Sequence, residues 1–115
     1  MIRRSNEKTV EVKKMFDGDG EAIFHKILNG QDELYGKGRV FSHVVLKTGC
    51  EIGWHVHQNE GEAYYVLKGV GSYNDDGSMV TVYPGDVTFT DSGQGHSIKN
   101  ECQEDLELIA LVLFK

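Results

Sequence analysis

The chain has 115 residues, of which 39% are hydrophobic and 26% charged, with a formal net charge of −6. That length is expected to make one domain spanning residues 1–115, and its acidic balance, with no basic cluster beyond Arg3-Arg4 and Lys13-Lys14, argues against a nucleic-acid partner. No apolar run approaches the ~20 residues of a membrane span, and the first eight residues lack the apolar stretch of a signal peptide, so a cytoplasmic protein is expected.

Fourteen glycines beside one proline, Pro84, imply frequent tight turns and an all-β chain. Thr9 to Lys13 alternates like an edge strand. Residues 17–38 mix short apolar pieces with turns and are not assigned to elements. Residues 39–47 are rich in β-branched and aromatic types and read as a strand closing at Thr48-Gly49. Ala63 to Leu67 continues the β pattern, and Tyr73 to Val80 reads as a hairpin turning at Asp76-Gly77. A turn at Pro84-Gly85-Asp86 then leads into a strand at Val87 to Thr90. The loop from Asp91 to Gly95 would present His96. Leu106 to Phe114 ends the chain as a strand, apolar on both faces, that needs cover on both. A second copy of the chain is the expected outer cover, hence a homodimer.

His55 and His57 flank Val56, and Glu62 follows five residues later. Alternate residues of a strand share a face, so both imidazoles can hold one metal ion. Imidazole with carboxylate is a ligand set for a catalytic divalent metal. The alternative is a pair of surface histidines beside a solvated glutamate.

The spacing around these residues is more specific. Gly49, His55, His57, Glu62 and Gly69 fall at the intervals of the first sequence motif of the cupin superfamily. Gly85, Gly93, His96 and Asn100 resemble the second, with Asp91 where a proline is usual. The resemblance covers residues 49–100, motif 1 at 49–69 and motif 2 at 85–100, between N-terminal strands in 1–48 and a C-terminal strand at 105–115. It implies a double-stranded β-helix, or jelly-roll barrel. His55, His57, Glu62 and His96 would be the metal ligands, with the first three on one hairpin and His96 facing them across the barrel. Manganese or iron is the ion the resemblance favours, while the ligand chemistry also admits zinc, nickel or copper.

A divalent ion on one carboxylate and three neutral imidazoles keeps a net positive charge, which favours an anionic or enolisable organic ligand. Dioxygenase, decarboxylase or isomerase chemistry is expected, against the alternative of a non-enzymatic small-molecule or metal sensor. Tyr64 shares the parity of Glu62, and Glu60 lies between the ligands; these two are the candidate acid–base groups. Asp91 either caps its turn or hydrogen-bonds His96. His43 reads as a satisfied strand histidine, His25 as surface and Trp54 as packed outside the lumen. Cys50 and Cys102 lack metal-site spacing and are expected to be free, partly buried thiols.

Overall fold

The computed structural model describes residues 1–115. A 3-10 turn at Ser5–Glu7 precedes β1 (Val10–Lys13) and β2 (Ala22–Lys26). One helical turn, α1 (Gly30–Glu33), follows, and then β3 (Gly38–Leu46), β4 (Glu51–Val56) and β5 (Glu60–Lys68). β6 (Gly71–Asp75), β7 (Ser78–Val82), β8 (Val87–Thr90), β9 (Gly95–Lys99) and β10 (Leu106–Phe114) complete the chain. The unassigned stretch 17–38 thus supplies β2 and α1.

All strand pairs are antiparallel and form two sheets, β1-β2-β3-β10-β5-β8 and β4-β9-β6-β7. β1 is an edge strand, as its alternation implied. Asp76 (φ 50°) and Gly77 (φ 107°) make the two-residue hairpin turn between β6 and β7, where left-handed backbone matches the strand twist.

The core lies between the sheets. Val44 and Leu46 of β3, Tyr64 and Val66 of β5, and Leu106, Leu108 and Ala110 of β10 face Ile52, Tyr73, Val82 and Ile98 of the smaller sheet. Their alternation with outward residues is the period of a half-buried strand. Burying each Leu or Ile contributes roughly 1.5–3 kcal/mol, which fixes the inward parity of every core strand.

Two motif ends have structural reasons. Gly69 takes φ 83° where a Cβ would collide with the Asp105 carbonyl, so both backbone and space require glycine. Asn100, fully buried, donates from Nδ2 to the carbonyls of Leu46 (2.9 Å) and Glu104 (2.7 Å) and accepts from the Cys102 amide (2.9 Å). It therefore ties β9 to β3 and to the loop before β10.

Candidate metal centre

The parity of β4 changes partway along the strand. Ile52 pairs with Ile98 but His55 pairs with His96, so three steps on β4 match two on β9 and one extra residue bulges out. Without that bulge, Ile52 and His55 would face opposite sides. With it, Ile52 packs in the core and His55 joins the centre, while Trp54 is left outside the lumen, half exposed.

The bulge also corrects the expected arrangement of ligands. His55 and His96 are cross-strand neighbours in one sheet, and it is Glu62, on β5, that reaches in from the other. β4 and β5 are not a hairpin, because the chain crosses between sheets at residues 57–59, through Asn59 at φ 59°. His57 follows β4, held by its amide on the Gln94 carbonyl (3.0 Å) and its carbonyl on the Gly93 amide (2.7 Å).

Four side chains meet at this point. One ligand atom from each of His55, His57, Glu62 and His96 lies within 4.8 Å of all the others. Glu62 Oε1 is 3.0 Å from the Nε2 atoms of both His57 and His96, and 3.8 Å from that of His55. His96 Nε2 is 3.0 Å from His55 Nε2 and 3.1 Å from His57 Nε2.

The outer nitrogens orient two of the rings. The Gly53 carbonyl can only accept, so His55 Nδ1 (2.8 Å) carries the proton and Nε2 presents a lone pair when the ring is neutral. His57 Nδ1 donates likewise to Glu60 Oε2 at 2.6 Å. His96 Nδ1 sits 2.9 Å from the Tyr73 hydroxyl and 2.8 Å from Thr90 Oγ1. Inward lone pairs at 3 Å from one another and from a carboxylate repel unless a cation or proton lies between them. The donor set therefore fits a divalent metal, with outer-shell partners holding each imidazole.

The charge balance agrees. Burial alone would push the Glu62 carboxyl up, but the three surrounding imidazoles outweigh it and hold it well below the usual carboxylate range. Glu62, with Glu60 behind the ring, raises His57, whereas burial lowers His96. Positive charge is thus favoured at the centre of the cluster.

Tyr64 lies where its parity placed it, buried and stacked on His96 with ring centroids 4.9 Å apart. Burial pushes its hydroxyl well above the ordinary tyrosine range. Glu60 is not at the mouth. Its carboxylate takes a bidentate pair from Arg39 (2.8 and 2.7 Å) as well as the His57 bond, so it stands behind the ring it orients. Arg39, above all, holds the Glu60 carboxyl below the usual range.

Other expectations resolve in the same way. Asp91 caps its own turn, accepting from the Ser92 amide at 2.7 Å, and Tyr73 and Thr90 serve His96 instead. His43 bonds Glu107 at 2.8 Å on the outer face of the larger sheet. His25 lies beside it, 5.5 Å between rings, and is half-buried rather than surface. Both cysteines are free; Cys50 packs against the core, but Cys102 is exposed rather than partly buried.

A cavity of about 200 Å³ opens above His55, His57 and Glu62. Met15, Phe16, Phe24 and Leu28 give it apolar walls, and Lys13, Lys26 and Arg39 line it with cations. Glu11 lies among these and pairs with Lys13 (3.1 Å) and Lys26. Sequence pattern missed Arg39, Tyr73, Thr90 and Phe16. The signal for Thr90 was its inward parity on β8, where it pairs with Glu62.

No helix is long and apolar enough to cross a membrane. The family model described as "Cupin domain" matches residues 42–113. An oxalate-binding protein of Thermotoga maritima is 40% identical over 114 residues, covering 98% of this chain and 93% of that protein. A crystal structure from the same organism, described as a predicted oxalate decarboxylase, superposes with a TM-score of 0.94 at 39% identity over the whole of both chains. The cupin domain of Schizosaccharomyces pombe Cnp3 shares the fold alone, with a TM-score of 0.72 at 14% identity over 93% of this chain and 70% of that one. With both motifs present and the jelly-roll barrel formed as they implied, the chain belongs to the cupin family.

Proposed function

We propose that the chain binds a small carboxylate, oxalate in the first instance, on a divalent metal ion held by His55, His57, Glu62 and His96. The observation that carries this reading is the convergence of three imidazole Nε2 atoms and one carboxylate oxygen at the floor of a cavity lined by cations. The likeness to the oxalate-binding protein of Thermotoga maritima supports the choice of anion.

When bound, the ion supplies a Lewis acid that takes carboxylate oxygens. Manganese or iron is proposed, with zinc, nickel and copper as ions that the same donors accept. The protein's own groups do the rest. Glu60 is a positioning residue for His57, and Tyr73 with Thr90 positions His96. Lys13 and Lys26 outnumber the Glu11 they share and attract the anion, and the apolar walls exclude water around it.

Binding is favoured over turnover by the state of the carboxylates. Glu62 is a proposed metal ligand and Glu11 pairs with two lysines, so neither lining carboxylate is free to act as the acid or base. Tyr64 supports the second reading, a decarboxylase, dioxygenase or isomerase, because it lines the cavity and burial keeps its hydroxyl protonated and able to donate a hydrogen bond.

Calorimetry with the Mn(II)-loaded protein tests the proposal. Saturable oxalate binding that disappears in the folded His57→Ala variant supports it, and absence of binding by the loaded wild type refutes it. Release of formate or CO2 under the same conditions, lost in Tyr64→Phe, would establish the second reading.

The chain is proposed to act as one domain and as a homodimer in the cytoplasm. Support for the dimer comes from the outer face of the larger sheet, where Tyr65, Leu67, Val87, Phe89 and Leu113 remain exposed. The two free thiols are consistent with a reducing compartment.

A further inference from the structure

We infer that Phe16 sets the size limit of the ligand taken at the metal centre, through a strained turn that holds its ring against His55. The inference rests on the carboxylate-binding reading above.

The turn from Met15 to Gly18 is built against backbone preference. Phe16 (φ 52°) and Asp17 (φ 56°) are both left-handed, a conformation that side chains with a Cβ resist. The surroundings enforce it. The Met15 carbonyl accepts from the amides of Gly18 (2.9 Å) and Gly53 (3.0 Å), and Met15 bridges to Ile52 beside the β4 bulge. A Cβ on Gly18 would lie 2.7 Å from the Glu51 carbonyl and the Gly53 amide nitrogen, and a Cβ on Gly53 would collide with the Phe16 carbonyl. Two residues without side chains thus key the turn into the bulge that aims His55.

Core burial is not the return for this strain. Phe16 stays 51% exposed and lies outside the core cluster. Its ring lies instead parallel to the His55 imidazole, centroids 3.9 Å apart at 11°, and forms a wall of the cavity. Strain held where the surroundings over-determine it, with the ring set against a candidate ligand rather than in the core, is the kind that clusters at ligand sites.

The consequence is steric. At about 200 Å³ the cavity is smaller than the roughly 300–1,000 Å³ of ordinary small-molecule pockets, and Phe16 is a wall whose backbone the keyed turn holds in place. A two-carbon dicarboxylate can approach the centre with Phe16 in place. A longer one meets the ring.

The test compares oxalate with succinate by calorimetry on Mn(II)-loaded wild type, Phe16→Ala and Phe16→Leu. Alanine keeps the Cβ and its strain, so it removes only the ring. The expected result is a preference for oxalate that falls about tenfold in Phe16→Ala and by less in Phe16→Leu, with one manganese per chain retained. An unchanged preference, or equal weakening of both anions, in the alanine variant or, should that fail to fold, in the leucine variant, overturns the inference and leaves the function standing. Loaded wild type that binds neither anion overturns both.

Discussion

Glu60 offers the sharpest test of how the centre is held. It touches no ligand atom of the cluster; its effect must pass through His57, whose outer nitrogen it holds at 2.6 Å. A charge-assisted bond is roughly twice as strong as a neutral one, and outer-shell partners of metal-bound histidines are typically worth about 10–100-fold in metal affinity. In Glu60→Gln the amide oxygen still accepts from His57 Nδ1, so the loss is the charge alone, about tenfold or ~1.4 kcal/mol. In Glu60→Ala the ring is released, Arg39 loses its bidentate partner, and the loss approaches 100-fold, or ~2.7 kcal/mol. Competitive titration of Mn(II) against a chelator reads the affinity directly, with circular dichroism of the metal-free variants confirming the fold. Arg39→Ala gives the internal control: it leaves the Glu60–His57 bond in place and should weaken the metal less than Glu60→Ala does. A folded Glu60→Ala protein with wild-type manganese affinity would refute the argument that His57 is oriented from behind.

Further outcomes follow from the same geometry. Tyr73→Phe and Thr90→Val each leave His96 Nδ1 one hydroxyl, so either alone should cost no more than about 1 kcal/mol in urea unfolding of the metal-free protein, while the double variant should lose more than the sum. Gly69→Ala places a Cβ against the Asp105 carbonyl at φ 83° and should destabilise the fold by about 1–3 kcal/mol, measured the same way. Tyr65→Glu puts a charge on the outer face proposed for the dimer. Light scattering should then report a monomer, whereas an unchanged mass would remove that face from the interface.

His55, His57, Glu62 and His96 were legible as a candidate ligand set because they stand at the intervals of the cupin motifs. The strands were legible too: period-two alternation marks an inward face wherever one side is buried, and Asp76-Gly77 names its own hairpin. Spacing along the chain, however, says nothing about which sheet a strand joins. β4 and β5 are separated by three residues in sequence and lie in different sheets, so the ligands expected on one hairpin come from two layers. The bulge between Ile52 and His55 has no signature beyond Gly53, yet it decides that His55 faces inward.

The residues behind the ligands were not legible for the same reason. Arg39 lies more than twenty positions from Glu60, and Tyr73 and Thr90 reach His96 from opposite sheets. Their contacts exist only once the barrel closes and its register is set. Phe16 is the extreme case, since its φ and its stacking on His55 are imposed by Gly18 packing into Gly53. Local pattern determined the strands and turns that present the candidate ligands, because periodicity and turn preference act over a few residues, and the motif intervals named the candidates. Tertiary packing decided what stands behind them and what walls them in, because cross-sheet contacts depend on burying the whole core at once.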